Sequence, residues 1–283
     1  MKLVRYGCKG DEKPGVLDPH GEIRDLSGKI PDIDGAFLAA GGLRVLEGLQ
    51  VSELPIVQGE PRLGPCVGKV GKIVCVGLNY SDHAKESGAP VPSEPILFLK
   101  PSSSICGPND DVEIPVGSVK TDWEVELGVV IGRRAKYVDE HSALQYVAGY
   151  CVVNDVSERE FQLERSGQWD KGKSHDTFAP IGPWFVTADE IPDPQQLGLW
   201  ADVSGTRYQD GSTANMIFDV RTLVSYISRF MTLEPGDIIS TGTPAGVGMG
   251  QKPVKYLREG DSMRMCVEGL GVQEQHCVAA VAS

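Results

Sequence analysis

The chain has 283 residues, 41% of them hydrophobic and 23% charged, the composition of a globular protein that can bury a large core without disulfide or metal staples. Its net charge of −12 and the lack of any Lys/Arg stripe exclude nucleic acid and anionic membrane as main partners, because phosphate contacts require clustered cations. A small anionic substrate fits that charge only if a metal or a local basic cluster reverses the field inside a pocket.

The opening segment, MKLVRYGCKGDEK, lacks the apolar stretch of a signal peptide. No apolar run approaches the roughly 18 residues that span a bilayer. The seven cysteines (Cys8, Cys66, Cys75, Cys106, Cys151, Cys266, Cys277) are scattered, odd in number and never in a Cys-x-x-Cys pair. They read as free thiols of a reducing compartment, so a cytosolic protein is expected. Residues 1–70 read as a small N-terminal β unit. MKLVRYG alternates like a strand, and GVLDPHGEIRDLS reads as two short strands around the turn Asp18-Pro19-His20-Gly21. The Gly/Pro-rich stretch QGEPRLGPCVGKVG reads as a linker.

Residues 71–283 form the second expected domain, built from short apolar strands. These are KIVCVGL (72–78), PILFLK (95–100), WEVELGVVIG (123–132), YVAGYCVVND (146–155), LGLWADVSG (197–205), GDIISTG (236–242) and DSMRMCVEG (261–269). Three segments read as helical: SDHAKES, SEREFQLERS and IFDVRTLVSYISRFM, the last with an apolar face expected at Phe218, Leu223, Ile227 and Phe230. Strands outnumber helices and do not alternate regularly with them. That pattern predicts an α+β, mostly β fold and argues against a doubly wound parallel sheet.

Acidic residues stand where two core strands end. In Trp123-Glu124-Val125-Glu126-Leu127, side chains alternate with period two, so Glu124 and Glu126 share a face. A strand with one wet face gives the same alternation, but the following Leu127–Ile131 run is apolar on both faces and carries the strand into the core. Asp155 closes a second buried run, Tyr150–Asn154. Carboxylates gathered at such a place repel and are desolvated unless a cation or protons compensate them. Three oxygen donors with no nearby His or Cys suit Mg²⁺, Mn²⁺ or Ca²⁺ rather than Zn²⁺.

His83 and Glu86 are i and i+3 on a short helix that Asn79 or Ser81 is expected to cap and Gly88 to end. A carboxylate beside imidazole orients it for general-base work; a solvated surface pair has the same spacing. Flanking Gly and Pro residues suit a mobile lid. Gly167 to Ser174 matches G-x-x-x-x-G-K-S, yet the preceding REFQLERS is polar and the following HDTFAPIGP carries two prolines. A phosphate loop needs a strand before it and a helix after it, so the match is coincidental. Lys173 remains a candidate for contact with a substrate carboxylate or enolate. Thr241–Gly248 is a glycine-rich turn after a strand, suited either to an anion-binding nest or to a plain tight connection.

Taken in order, GLNYSDHAKE, EPILFLKPSSS, DWEVELGVVIG, NDVSERE, KGKSHDTFAPIGP and STGTPAGVG resemble the fumarylacetoacetate hydrolase family over residues 71 to about 270. The resemblance implies a mixed β-roll, or partly open barrel, preceded by a small N-terminal β domain. It implies a divalent metal, Mg²⁺ with Mn²⁺ or Ca²⁺ as alternatives, on Glu124, Glu126 and Asp155. It implies catalytic roles for His83, Glu86 and Lys173, and substrate contacts from Arg159, Thr243 and Gly242. The implied reaction is hydrolysis of a C–C bond in a 2,4-diketo acid, giving pyruvate and a second carboxylic acid, in a homodimer. Members lacking the His–Glu pair tend to be decarboxylases or isomerases. The MKLVRYG-type start further resembles members acting on 2,4-diketo-3-deoxy sugar acids of the fuconate or rhamnonate type. Similar proteins also act on other acylpyruvates or carry a ureidoglycolate lyase label, and an oxaloacetate-type decarboxylase would use the same metal site.

Overall fold

The Val125–Ile131 strand is buried along its whole length, as its two-faced apolar sequence demands. It lies inside a mixed ten-stranded sheet. From edge to edge the order is Ile23–Asp25, Lys13–Leu17, Lys2–Tyr6, Ala179–Thr187, Val147–Asn154, Val125–Ile131, Ile238–Ser240, Ile73–Gly77 and Ile96–Lys100, with Ile105–Cys106 joining Ala179–Thr187. Most pairs are antiparallel; Ile238–Ser240 runs parallel to Ile73–Gly77. A second sheet orders Thr206–Ser212, Gly198–Val203, Ser262–Val267, Gly271–Ala279 and Val112–Ile114. This computed structural model describes residues 1–281; residues 282 and 283, the end of the expected second domain, lie outside the described residues.

The fold is therefore mostly β with mixed sheets that do not close into a barrel. Its core has two parts, one on each face of the large sheet. Val125, Leu127 and Val129 pack toward the second sheet, against Leu199, Ala201, Met263 and Met265. Val130, Cys151 and Val153 point the other way, toward Leu3, Phe37, Leu38 and Phe185. The first strand of the chain pairs antiparallel with Ala179–Thr187, so the N-terminal strands continue the large sheet. The Asp18–Gly21 turn joins the two strands expected there. In the Gly/Pro-rich stretch after them, Cys66, Val67 and Val70 are buried.

Several local expectations are corrected. The long helix is Val220–Phe230, started by Asp219, whose side chain accepts from the Thr222 N–H. Its buried stripe is Val220, Leu223, Val224 and Ile227, the i, i+3, i+4, i+7 set. Phe218 precedes the helix, and Phe230 is 63% exposed; it packs on Tyr226 at 4.9 Å beyond the covered end of the stripe. The SEREFQLERS segment is a short strand, Ser157–Glu158, followed by a π-helical turn, Glu160–Glu164. Neither Asn79 nor Ser81 caps the Ser81–Glu86 helix: Tyr80 occupies the cap without a side-chain bond. The Asn79 amide instead donates to the Phe218 and Thr241 carbonyls. All seven cysteines are free, but Cys8 is exposed and Cys266 half-buried.

Candidate active site

Strand register assembles the acidic cluster. Glu124 and Glu126 lie on the same face as Val130. Val153 stands opposite Glu126, and Asn154 opposite Val125. One step further, the Asp155 N–H donates to the Glu124 carbonyl at 2.9 Å. Asp155 has the parity of Val153 and Cys151, so it projects on the face that carries the two glutamates. The three residues offer carboxylate oxygens that lie within 4.8 Å of one another, with Glu124 5%, Glu126 2% and Asp155 1% exposed.

Like charges this close need compensation, and the chain supplies part of it. Lys173 Nζ donates to Glu124 Oε2 and to Asp155 Oδ2, both at 2.7 Å. Lys100 Nζ donates to Asp155 Oδ1 at 2.5 Å and to the Val156 carbonyl at 3.0 Å. Arg159 Nη2 donates to Glu124 Oε1 at 2.6 Å and its Nε to Asp122 Oδ2 at 2.8 Å. Burial alone would raise the Glu124 pKa, but Lys173 and Arg159 hold it well below the usual range. The same carboxylates, Asp155 and Glu124, raise the Lys173 pKa against the effect of its burial.

Glu126 is different. Among the described residues its hydrogen-bond partners are neutral: the Ser240 hydroxyl at 2.6 Å and the Gly242 N–H at 2.8 Å. Burial, then Asp155 and Glu124, push its pKa well above the ordinary value. A buried carboxylate short of positive charge, beside two others, fits a hard divalent cation bound by oxygen. Glu124, Glu126 and Asp155 would hold it.

The short helix Ser81–Glu86 brings His83 to the same cavity. His83 is 6% exposed, so the pair is not a solvated surface contact. Its Nδ1 lies 3.2 Å from Glu86 Oε2, which leaves Nε2 for chemistry. Gly88 ends the helix at φ 64°.

The glycine-rich turn is indeed a nest of amides, but it receives the protein's own carboxylates. The Gly246 N–H donates to both Glu86 oxygens at 3.0 and 3.1 Å. The Gly248 and Met249 N–H groups donate to Asp122 at 2.6 and 3.0 Å. Gly246 has φ 108°, and a Cβ there would come within 2.0 Å of the Tyr208 carbonyl, so only glycine fits. Gly242 holds Glu126. The Thr243 hydroxyl donates to the Val125 carbonyl and accepts from Gln209, while its side chain borders the cavity. The segment matching a phosphate loop is preceded by the π-helical turn rather than a strand, and its Lys173 faces carboxylates.

The cavity measures about 180 Å³; the acidic triad, His83, Arg159 and Lys173 are among its walls. Over residues 72–278 the chain matches the family model described as fumarylacetoacetate (FAA) hydrolase C-terminal. The chain belongs to the fumarylacetoacetate hydrolase family. A relative from Burkholderia multivorans, provisionally named a hydrolase, is 63% identical over 281 residues, covering 99% of this chain and all of that one. The fumarylacetoacetate hydrolase of Exiguobacterium antarcticum superposes with a TM-score of 0.89 at 36% identity, over 99% of this chain and all of that one. The maleylpyruvate hydrolase of a Sphingobium species, solved with manganese(II) and pyruvate, gives 0.81 at 28% identity with the same coverage. Other solved members are named isomerases.

Sequence reading missed several residues that build this cavity and its charge network. Lys100 was visible only as the last residue of an apolar strand, although a lysine there is rarely buried without a partner. Asp122, 0% exposed, anchors Arg159 and the Gly248–Met249 turn together. Gln162 Oε1 accepts from Arg159 Nη1 at 3.1 Å. Ser240 stands opposite Gly128 in the sheet, and no local signal links it to Glu126.

Proposed function

We propose that this family member hydrolyses the C3–C4 bond of a 2,4-diketo acid of the acylpyruvate type, yielding pyruvate and a second carboxylic acid. The observation that carries the reading is buried His83, paired with Glu86 and lining one cavity with the acidic triad. Glu124, Glu126 and Asp155 would hold a divalent cation, Mg²⁺ or Mn²⁺, which when bound would supply Lewis-acid polarisation of the 2-oxo acid end.

His83, held through Nδ1 by Glu86, takes a proton from water at Nε2. The water oxygen attacks C4. The tetrahedral adduct collapses with cleavage of C3–C4, and the electron pair passes to the pyruvate enolate. Lys173 Nζ faces the developing enolate charge and stabilises it. The proton on His83 then goes to C3, so one water is consumed and two acids leave. A general base of this kind contributes roughly 10²–10⁴-fold. Substrates of the 2,4-diketo-3-deoxy fuconate or rhamnonate type fall within this class. The buried free thiols fit a cytosolic setting, and no helix among the described residues is long and apolar enough to cross a membrane.

The test is pyruvate release from a panel of 2,4-diketo acids, with and without chelator. Release of CO₂ from oxaloacetate with no diketo acid cleaved would move the assignment to a decarboxylase.

A further inference from the structure

Resting on the hydrolase reading, the walls of the same cavity bear on the group beyond C4. Its polar floor is the acidic triad with Lys173 and Arg159, and both cations are held at the triad, where the 2-oxo acid end reacts, rather than at the tail beyond C4. Lys173 is shared between Glu124 and Asp155. Arg159 is shared between Asp122 and Glu124. The remaining wall is largely apolar: Leu78, Ala89, Phe98, Leu163, Trp169 and Met249.

Apolar surface begins directly beside the floor. The Phe98 ring centroid lies 4.9 Å from Lys173 Nζ, and Trp169 meets Phe98 edge-on at 5.5 Å. The Trp169 ring is seated over Gly77, where a Cβ would come within 2.4 Å of it. The neutral polar groups on the cavity wall are Ser87, Gln162 and Thr243; the Thr243 hydroxyl donates to the Val125 carbonyl, and the amide and hydroxyl donors that remain carry no charge to balance a carboxylate. Among the described lining residues, no uncommitted Lys or Arg lies beyond the floor. Behind His83, Glu86 adds a further carboxylate, its Oε2 3.2 Å from Nδ1. A second carboxylate entering this region would lose its hydration with no counter-charge.

The volume limits length as well as charge. At about 180 Å³ the space is smaller than the roughly 300–1,000 Å³ of sites for drug-sized ligands.

We propose that the cavity selects 2,4-diketo acids with a short, neutral acyl tail, alkyl or carrying a single hydroxyl, and rejects those ending in a second carboxylate. The matched probes are 2,4-dioxoheptanoate and 2,4-dioxoheptanedioate. The expected kcat/KM ratio favours the first by on the order of 10²-fold or more, since a buried group left unpaired discriminates more strongly than one methylene. Leu163, 44% exposed at the wall, provides the reversal: Leu163→Arg should raise kcat/KM for the dioate and narrow the ratio about tenfold or more. Binding is read separately by calorimetry with 2-oxohexanoate and 2-oxohexanedioate, which have no C4 carbonyl to attack, with and without Mn²⁺. Tighter binding of the neutral acid is expected in both conditions. Equal or better cleavage or binding of the dicarboxylates overturns the proposal, as does binding of neither acid. If neither dioxo acid is cleaved while the neutral acid binds tighter, the hydrolase reading fails and the tail selectivity stands.

Discussion

Glu126 concentrates the electrostatic problem of this site in one side chain. Glu124 and Asp155 each receive lysine or arginine donors, whereas Glu126 is left with a hydroxyl and an amide. Its raised pKa means that the folded, ion-free protein binds this proton more tightly than the unfolded chain does. Ion-free stability should therefore fall as pH rises above the free-glutamate value of about 4.3. Glu124 acts in the opposite sense and only below that value, because its pKa is lowered. Denaturant midpoints in chelator across pH 4–9 should show the decline, and Glu126→Gln should flatten it. At the neighbouring His83, replacement by Ala should lower kcat by about 10²–10⁴-fold while leaving the affinity for Mn²⁺ within a few-fold. A loss of less than tenfold would show that another group takes the proton.

At the scale of elements, the Ser81–Glu86 helix and the glycine-rich turn work as a pair. Glu86 is fixed from both sides, by His83 Nδ1 and by the Gly246 N–H. Gly246→Ala should therefore impair hydrolysis through strain at a positive φ and a clash with the Tyr208 carbonyl, with metal binding retained; parallel turnover and metal titrations check this. A second junction ties the N-terminal strands to the following region. Arg62 donates to Asp110 through Nε and Nη2, both at 2.6 Å, and to Glu12 and the Gly7 carbonyl through Nη1. Burial opposes ionisation of Asp110, but the Arg62 guanidinium and the Gly107 N–H lower its pKa overall. That stabilisation is fully present above the free-aspartate pKa of about 3.9 and is lost as pH falls through the lower folded value. Asp110→Asn should cost about 1–2 kcal/mol near neutrality, after allowance for partial exposure. The melting-temperature gap to the parent chain should close in acid.

For the molecule as a whole, a divalent ion that binds only the folded state stabilises it by about 2.7 kcal/mol at a hundred times its dissociation constant. In a chain of this size each kcal/mol raises Tm by roughly 2–4 °C. Saturating Mn²⁺ should therefore raise Tm by roughly 5–10 °C, and Glu126→Gln should abolish the rise. A parent chain that shows no shift with Mg²⁺ or Mn²⁺ would show that the triad holds no such ion.

The mostly β character, the individual strands and the Glu124–Glu126–Asp155 set were legible in the residues, because strand periodicity and burial are written locally. The period of two put both glutamates on one face, and two apolar runs placed all three acids at the ends of core strands. What stayed hidden depended on partners distant in sequence. Lys100, Asp122 and Ser240 take their roles from contacts across 55, 37 and 114 positions, which no local pattern encodes. Phe230 shares the helical spacing of Leu223, yet it is exposed because the covering surface ends before it. The glycine-rich turn suited an anion nest or a plain connection equally well, and the fold decided for a nest whose anions are Glu86, Glu126 and Asp122. Local chemistry thus settled which groups this chain carries, and only the pairing of strands in space settled which charges meet and which carboxylate is left without a cationic partner.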